Sequence, residues 1–285
     1  MQIINNIAPF ILFYIMLGIG MNASIADFIK ILKDFKTLLI GLISQVIILP
    51  TLGFLIAVIV PIDFFIKVGI ILITCVPSAV TSNYITKLAN ANIALSVCLT
   101  AISAALSFLT VPFILLIALP LVIENGNIFQ NLNFKKMSMF LLLMTTVPIL
   151  IGIFINTYFS AFTKKINKFF SISSLILFLL VIITAWASEW GVVINLYKSI
   201  GILSILLLIA IFITVYTFVN LFDINKKNKK TIIIEAFIQN AAMAIIVGGS
   251  ALGLGSGYMA VAVIYGLLQY KALIAWWAVN KVITK

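Results

Sequence analysis

The run TIIIEAFIQNAAMAII, residues 231–246, is apolar enough to lie in a membrane, yet it carries Glu235, Gln239 and Asn240 near its middle. A charge near the bilayer centre costs about 2.5–3.5 kcal/mol on insertion scales, so a carboxylate kept there faces a cavity, a partner or an ion. Gln239 follows Glu235 by four residues and shares its helical face, with Asn240 beside it. The pattern is compatible with a polar clamp between packed helices and with a binding site.

The whole chain belongs in a bilayer. Its 285 residues are 64% hydrophobic and 9% charged, with a mean hydropathy of +1.29. That leaves too little polar surface to cover a soluble globule and predicts an all-α polytopic membrane protein. The net charge of +11 comes from lysine alone, since the chain has neither arginine nor histidine. In this setting the lysines belong to cytoplasmic loops and anionic lipid, with no nucleic-acid partner implied. Without histidine, the commonest metal ligand and general base is missing. Cys75 and Cys98 both fall in apolar spans and read as small core side chains, not as a disulfide or redox motif. The first 28 residues form an apolar run with no positive leading segment, which predicts a retained membrane helix and not a signal peptide.

At about 20 apolar residues per crossing, nine spans are expected. They lie at roughly 8–26, 38–60, 65–88, 92–121, 137–158, 169–188, 198–221, 231–250 and 257–280, in one domain with short connections. An odd number puts the termini on opposite sides. With the N-terminus outside, thirteen lysines (30, 33, 36, 87, 164, 165, 168, 226, 227, 229, 230, 281, 285) are cytoplasmic and four (67, 135, 136, 198) are not. Positive charge inside therefore predicts an outside N-terminus and a cytoplasmic C-terminus. Asp27, Asp34, Asp63, Glu124, Glu189 and Asp223 are expected in loops or at span ends, leaving Glu235 as the one acid within a span.

A second polar cluster, CVPSAVTSNYITK at 75–87, interrupts the third span. Pro77 removes a backbone donor at mid-membrane, and Ser78, Thr81, Ser82 and Asn83 follow it. Freed backbone groups at that depth need protein, water or an ion. The fourth span adds a hydroxyl stripe, Ser96, Thr100, Ser103 and Ser107, and Gln45 is an isolated amide in the second. The interrupted third and eighth spans occupy comparable places in the two halves of the chain. That pattern points to an inverted-repeat secondary transporter with two discontinuous crossing helices and a midplane site. Carboxylate, amide and hydroxyl oxygens suit a small hard cation, while half-helix N-termini suit an anionic substrate.

These residues resemble the bile acid:sodium symporter family. The resemblance runs nearly the whole chain, through LGIGMNASIADF (17–28), GLISQVIILP (41–50), PSAVTSNYITKLANANIALSVCLTAIS (77–103) and IEAFIQNAAMA (234–244). It implies sodium-coupled symport of a small organic anion by alternating access, with two sodium sites and no organic cofactor. The first site would use Ser82, Asn83, Ser96, Thr100 and Glu235. The second would use Gln45, Glu235 and Gln239 with the carbonyls of Ala236 and Ile238. Val80, Thr81, Asn83 and Asn240 would border the substrate, and Lys271 is a further candidate contact for a substrate carboxylate. A core (spans about 38–121 and 198–280) would move against a panel (about 8–26 and 137–188) in a bacterial-type plasma membrane.

Three departures accompany the resemblance. The family's ten-helix members begin with one more helix, so this chain starts at what would be their second. Ser78-Ala79-Val80 replaces the usual Gly-Gly-Thr before the Ser-Asn pair, and the last span carries Lys271 without the usual polar pair. A small carboxylate, such as a keto or hydroxy acid of the pantoate type, is expected as substrate in preference to a bile acid. The alternatives are a proton-coupled or uniporting carrier of the same fold and, more remotely, an intramembrane Ser/Lys enzyme using Lys271.

Overall fold

The computed structural model describes residues 2–122, 133–188, 190–252 and 257–283, without the side chains of 2–6, 251 and 274–283. Glu124, Glu189 and Lys285 lie outside the described residues. The described chain is helical with irregular joints. Helix α1 (Gln2–Asn22) turns through 68° into α2 (Ile25–Leu32). Ser24 caps α2, its Oγ accepting from the Asp27 N–H at 3.1 Å. Helix α3 (Phe35–Ile43) passes through a π turn at Ser44–Ile48 into α4 (Leu49–Ile59). Helices α5 (Phe64–Cys75) and α6 (Thr81–Leu88) are two halves of a broken span, and α7 (Ile93–Val122) follows unbroken.

Helix α8 (Phe134–Leu141) runs through a second π turn, Leu142–Thr146, into α9 (Val147–Tyr158). The long α10 (Ser160–Ser188) and α11 (Trp190–Asn220) come next. Then α12 (Lys226–Phe237) and α13 (Ala241–Ile246) form another broken pair before α14 (Tyr258–Ile283). Among the described residues, five segments are long and apolar enough to cross a membrane: 35–59, 93–122, 134–158, 160–188 and 190–220. The bent N-terminal pair would make a sixth.

The structure moves several expected boundaries. Helix α10 starts at Ser160 and not near 169, and α11 starts at Trp190 and not near 198. Hydropathy marks only the lipid-immersed stretch, whereas backbone hydrogen bonding carries each helix on into water. Lys164, Lys165 and Lys168 therefore sit on helix and not in a loop. The π turn at Ser44–Ile48 stands just before Pro50, and that at Leu142–Thr146 just before Pro148. Proline lacks an N–H and its ring presses on the carbonyl four residues back, and a widened turn relieves both problems.

Helix α1 packs against α9 and α10, while α14 packs against α11 and α5, and α12 against α7 and α11. The α1–α9 seam is closed by two glycines: a Cβ on Gly20 would stand 2.2 Å from the Ile149 carbonyl oxygen, and one on Gly152 would stand 2.4 Å from that of Leu17. In lipid such close approach replaces the hydrophobic drive between helices. Gly152→Val is expected to lower thermal stability by about 2–3 kcal/mol, the upper part of the overpacking range, because backbone blocks the new side chain. Gly201→Ala, with open space around it, should leave the melting temperature unchanged or raise it.

Candidate functional site

The two broken spans meet with their gaps back to back. Ser78 and Gln239 pair as an antiparallel bridge. The Ala79 N–H donates to the Ile238 carbonyl at 3.2 Å, and the Asn240 N–H donates to the Pro77 carbonyl at 3.0 Å. Each break thus satisfies backbone groups freed by the other, which is how irregular chain survives at this depth. Gln269 on α14, fully buried, clamps the junction: its Oε1 accepts from the Gln239 N–H at 2.8 Å and its Nε2 donates to the Gln239 carbonyl at 3.2 Å. Asn240 caps α13, accepting from the Met243 N–H at 3.0 Å.

Glu235, in the last turn of α12, is fully buried beside this junction. Its Oε1 accepts from Ser82 Oγ at 2.5 Å and from Ser96 Oγ. Its Oε2 accepts from Ser78 Oγ at 2.5 Å, Thr100 Oγ1 at 2.8 Å and Gln45 Nε2 at 3.4 Å. Every one of these partners is neutral. The hydroxyls also approach one another and Asn83: Ser78 to Thr100 at 3.0 Å, Ser82 to Thr100 at 3.5 Å, and Ser96 to Asn83 Oδ1 at 2.7 Å. Seven close oxygen–oxygen contacts therefore share the four protons of Ser78, Ser82, Ser96 and Thr100. When the carboxylate is ionised, oxygens outnumber protons around it, an arrangement that could hold a small hard cation. Two amide oxygens add to the surplus, since Gln45 Oε1 and Gln239 Oε1 are buried without a hydrogen-bond partner. Leaving such a group unpaired costs about 1–3 kcal/mol.

Ser82, Asn83, Ser96, Thr100 and Glu235 thus form one contiguous network. Gln45 reaches it from the π turn before Pro50. Gln239 Nε2 donates to the Ala236 carbonyl at 2.7 Å, and the Ile238 carbonyl accepts the Ala79 N–H; each of these carbonyls keeps a second lone pair. Val80, Thr81 and Asn240 line a small cavity of about 20 Å³ closed on the other side by Ile15, Ser174 and Phe178. Asn83 accepts from Ser96 and is not among the residues lining that cavity. The hydroxyl stripe divides: Ser96 and Thr100 reach Glu235, whereas Ser103 and Ser107 bond back to their own helix.

Lys271 is not brought into this cluster; its side chain is exposed. The polar contribution of α14 comes from Gln269 and from Tyr270, whose hydroxyl lies 2.7 Å from Thr81 Oγ1. Sequence reasoning passed over both, though a polar residue inside an apolar span was the very signal that picked out Glu235. Ser174, whose Oγ is buried and unpartnered, sits in a serine-bearing helix where nothing marks it.

Residues 9–196 match the model of the sodium bile acid symporter family. A probable chloroplastic sodium/metabolite cotransporter from Arabidopsis thaliana is 26% identical over 242 residues, covering 84% of this chain and 58% of its own length. An uncharacterized sodium-dependent transporter from Bacillus subtilis (strain 168) is 30% identical over 147 residues, 51% of this chain and 43% of its own. The ileal sodium/bile acid cotransporter of Homo sapiens is 26% identical over 194 residues, 66% of this chain and 54% of its own. The chain spans about half the length of the curated relatives it matches. The family and these relatives carry the names of transporters. The matched stretch includes Gln45, the first helix break, Ser96 and Thr100, and on that match the chain belongs to the sodium bile acid symporter family.

Proposed function

We propose that this protein is a multi-pass symporter that carries a small organic anion together with sodium by alternating access. The observation that carries this reading is the buried Glu235 carboxylate, ringed only by neutral oxygen-bearing side chains whose contacts outnumber their protons. In this reading Glu235 is shared between two sodium positions. Ser82, Asn83, Ser96 and Thr100 complete the first. Gln45 and Gln239, with the Ala236 and Ile238 carbonyls, complete the second, giving the two unpartnered amide oxygens a ligand. Ser78, already on Oε2 at 2.5 Å, adds an oxygen that a glycine there would not supply.

The anion would sit on the other side of the junction, against Val80, Thr81, Asn240 and Ser174. A cavity of about 20 Å³ holds about one water, so α1 and α10 must part from the crossing to admit a keto or hydroxy acid. In this reading α1 and α8–α10 form the panel, and α3–α7 and α11–α14 form the core. The protein would sit in a bacterial-type plasma membrane, and the lysine bias supports an N-terminus on the outside.

Protonation of the same carboxylate would also relieve the surplus of oxygen contacts, which keeps proton coupling as the second reading. Uptake of a panel of radiolabelled small carboxylates by cells expressing the protein separates the two. Sodium in place of choline at fixed pH is expected to raise uptake of at least one compound by about tenfold or more, the effect of ~1.4 kcal/mol of coupling. Uptake driven by a pH gradient without sodium would establish proton coupling instead.

A further inference from the structure

A lysine-lined cavity opens where α11 runs into α12, away from Glu235. It measures about 470 Å³ and is lined by Phe212, Tyr216, Asn220, Lys226, Lys229, Lys230 and Ile233. Lys226, Lys229 and Lys230 share one face of the first turns of α12, and the described residues that line the cavity include no carboxylate. A helix N-terminus already carries about half a positive charge, so cations gathered there repel both it and one another. Among the described residues, Lys229 Nζ donates to the neutral Asn220 Oδ1, at 3.1 Å. The cavity is built for an anion.

What continues from it identifies the anion. Phe212 and Ile233 also line a second cavity, of about 230 Å³, walled by apolar side chains of α11, α12 and α14, among them Ile205, Ile209, Phe237 and Leu273. The two cavities thus adjoin at Phe212 and Ile233, forming a groove with a basic end and a greasy end. Along α11 it runs from Asn220 to Ile205, fifteen residues, or about 22 Å at 1.5 Å per residue. Half of a bilayer with its headgroups is about 20–22 Å thick. A soluble anion would need only the basic end.

We infer that this groove binds an anionic phospholipid of the leaflet on the lysine side, its phosphodiester at Lys226, Lys229 and Lys230 and an acyl chain along Ile209 and Phe237. The lipid would lie against α12, the helix that carries Glu235, on residues one and two positions before it (Ile233, Ile234). This inference is independent of the transported ion.

Native mass spectrometry of the purified full-length chain, titrated with phosphatidylglycerol or phosphatidylcholine of matched acyl chains, tests it. Phosphatidylglycerol should bind with a clear preference. Lys226→Gln with Lys229→Gln should cut that preference by about 30-fold, from ~1 kcal/mol for each lysine near anionic headgroups. Lys230 stays intact because its Nζ also holds the Ala89 carbonyl at 2.7 Å. Ile209→Trp, which blocks the apolar end and leaves every lysine in place, should weaken retention of phosphatidylglycerol as well. Lys164→Gln with Lys165→Gln, on α10, should change nothing. Equal binding of both lipids would overturn the inference, as would a preference that survives the Lys226/Lys229 pair or displacement by millimolar inorganic phosphate that Ile209→Trp does not alter.

Discussion

Glu235→Gln is expected to abolish sodium-driven uptake while leaving a protein that inserts and folds as well as the wild type. Glutamine keeps the shape and can still bond the surrounding hydroxyls of Ser78, Ser82, Ser96 and Thr100, but it has no charge to offset a cation. Removing one partner of a buried ionic contact costs about 3–5 kcal/mol, so sodium-coupled transport should fall by at least about 100-fold. The stability of the sodium-free protein should move the other way. A buried carboxylate among neutral partners is unfavourable, so its removal should leave the melting temperature in sodium-free buffer equal to or above that of the wild type. A purely structural clamp predicts the reverse pattern: a lower melting temperature with uptake kept in proportion to the folded protein. Uptake in proteoliposomes and thermal denaturation of the same preparation distinguish the two.

The second large effect is on voltage. Two sodium ions accompanying a monoanion move one net positive charge inward. A tenfold sodium gradient supplies about 1.4 kcal/mol per ion, and −100 mV adds about 2.3 kcal/mol for each net charge. Together they make about 5 kcal/mol available, enough for accumulation of the anion by several thousandfold. A uniporter of the same anion would be opposed by that potential. In proteoliposomes with a sodium gradient, an inside-negative potassium diffusion potential is therefore expected to speed uptake of a monoanionic substrate severalfold. Slower or unchanged uptake would rule out the two-sodium stoichiometry.

Much of this arrangement was legible in the sequence because lipid makes polar residues conspicuous. Glu235, Gln239, Ser82, Ser96 and Thr100 stand out from an apolar background, and Pro77 announces a break. The structure puts Ser82, Ser96 and Thr100 on the Glu235 carboxylate, while the Gln239 side chain bonds the Ala236 carbonyl. What stayed hidden depends on pairing across the fold. Nothing in PSAV or IQN says that Ala79 will donate to Ile238, or Asn240 to Pro77, because each break is explained only by the other. Ser78 looks like a hydroxyl bonded back to its own helix until α12 brings Glu235 within 2.5 Å of it. Gln45 owes its reach to a π turn, and only Pro50, five residues on, hints that the helix there is widened. The start of α10 at Ser160 was missed for another reason, since a hydropathy window ends where lysines begin while hydrogen bonding does not.

Cation-dependent stability tests the oxygen cluster most directly. A ligand that binds the folded state stabilises it in proportion to the logarithm of its concentration above the dissociation constant, reaching about 2.7 kcal/mol at a hundredfold excess. The purified protein should melt at progressively higher temperature as sodium chloride replaces choline chloride at constant ionic strength. Lithium should act more weakly and potassium hardly at all, and Glu235→Gln should lose the response. An equal response to all three salts, or a sodium response that survives Glu235→Gln, would contradict sodium binding at this carboxylate.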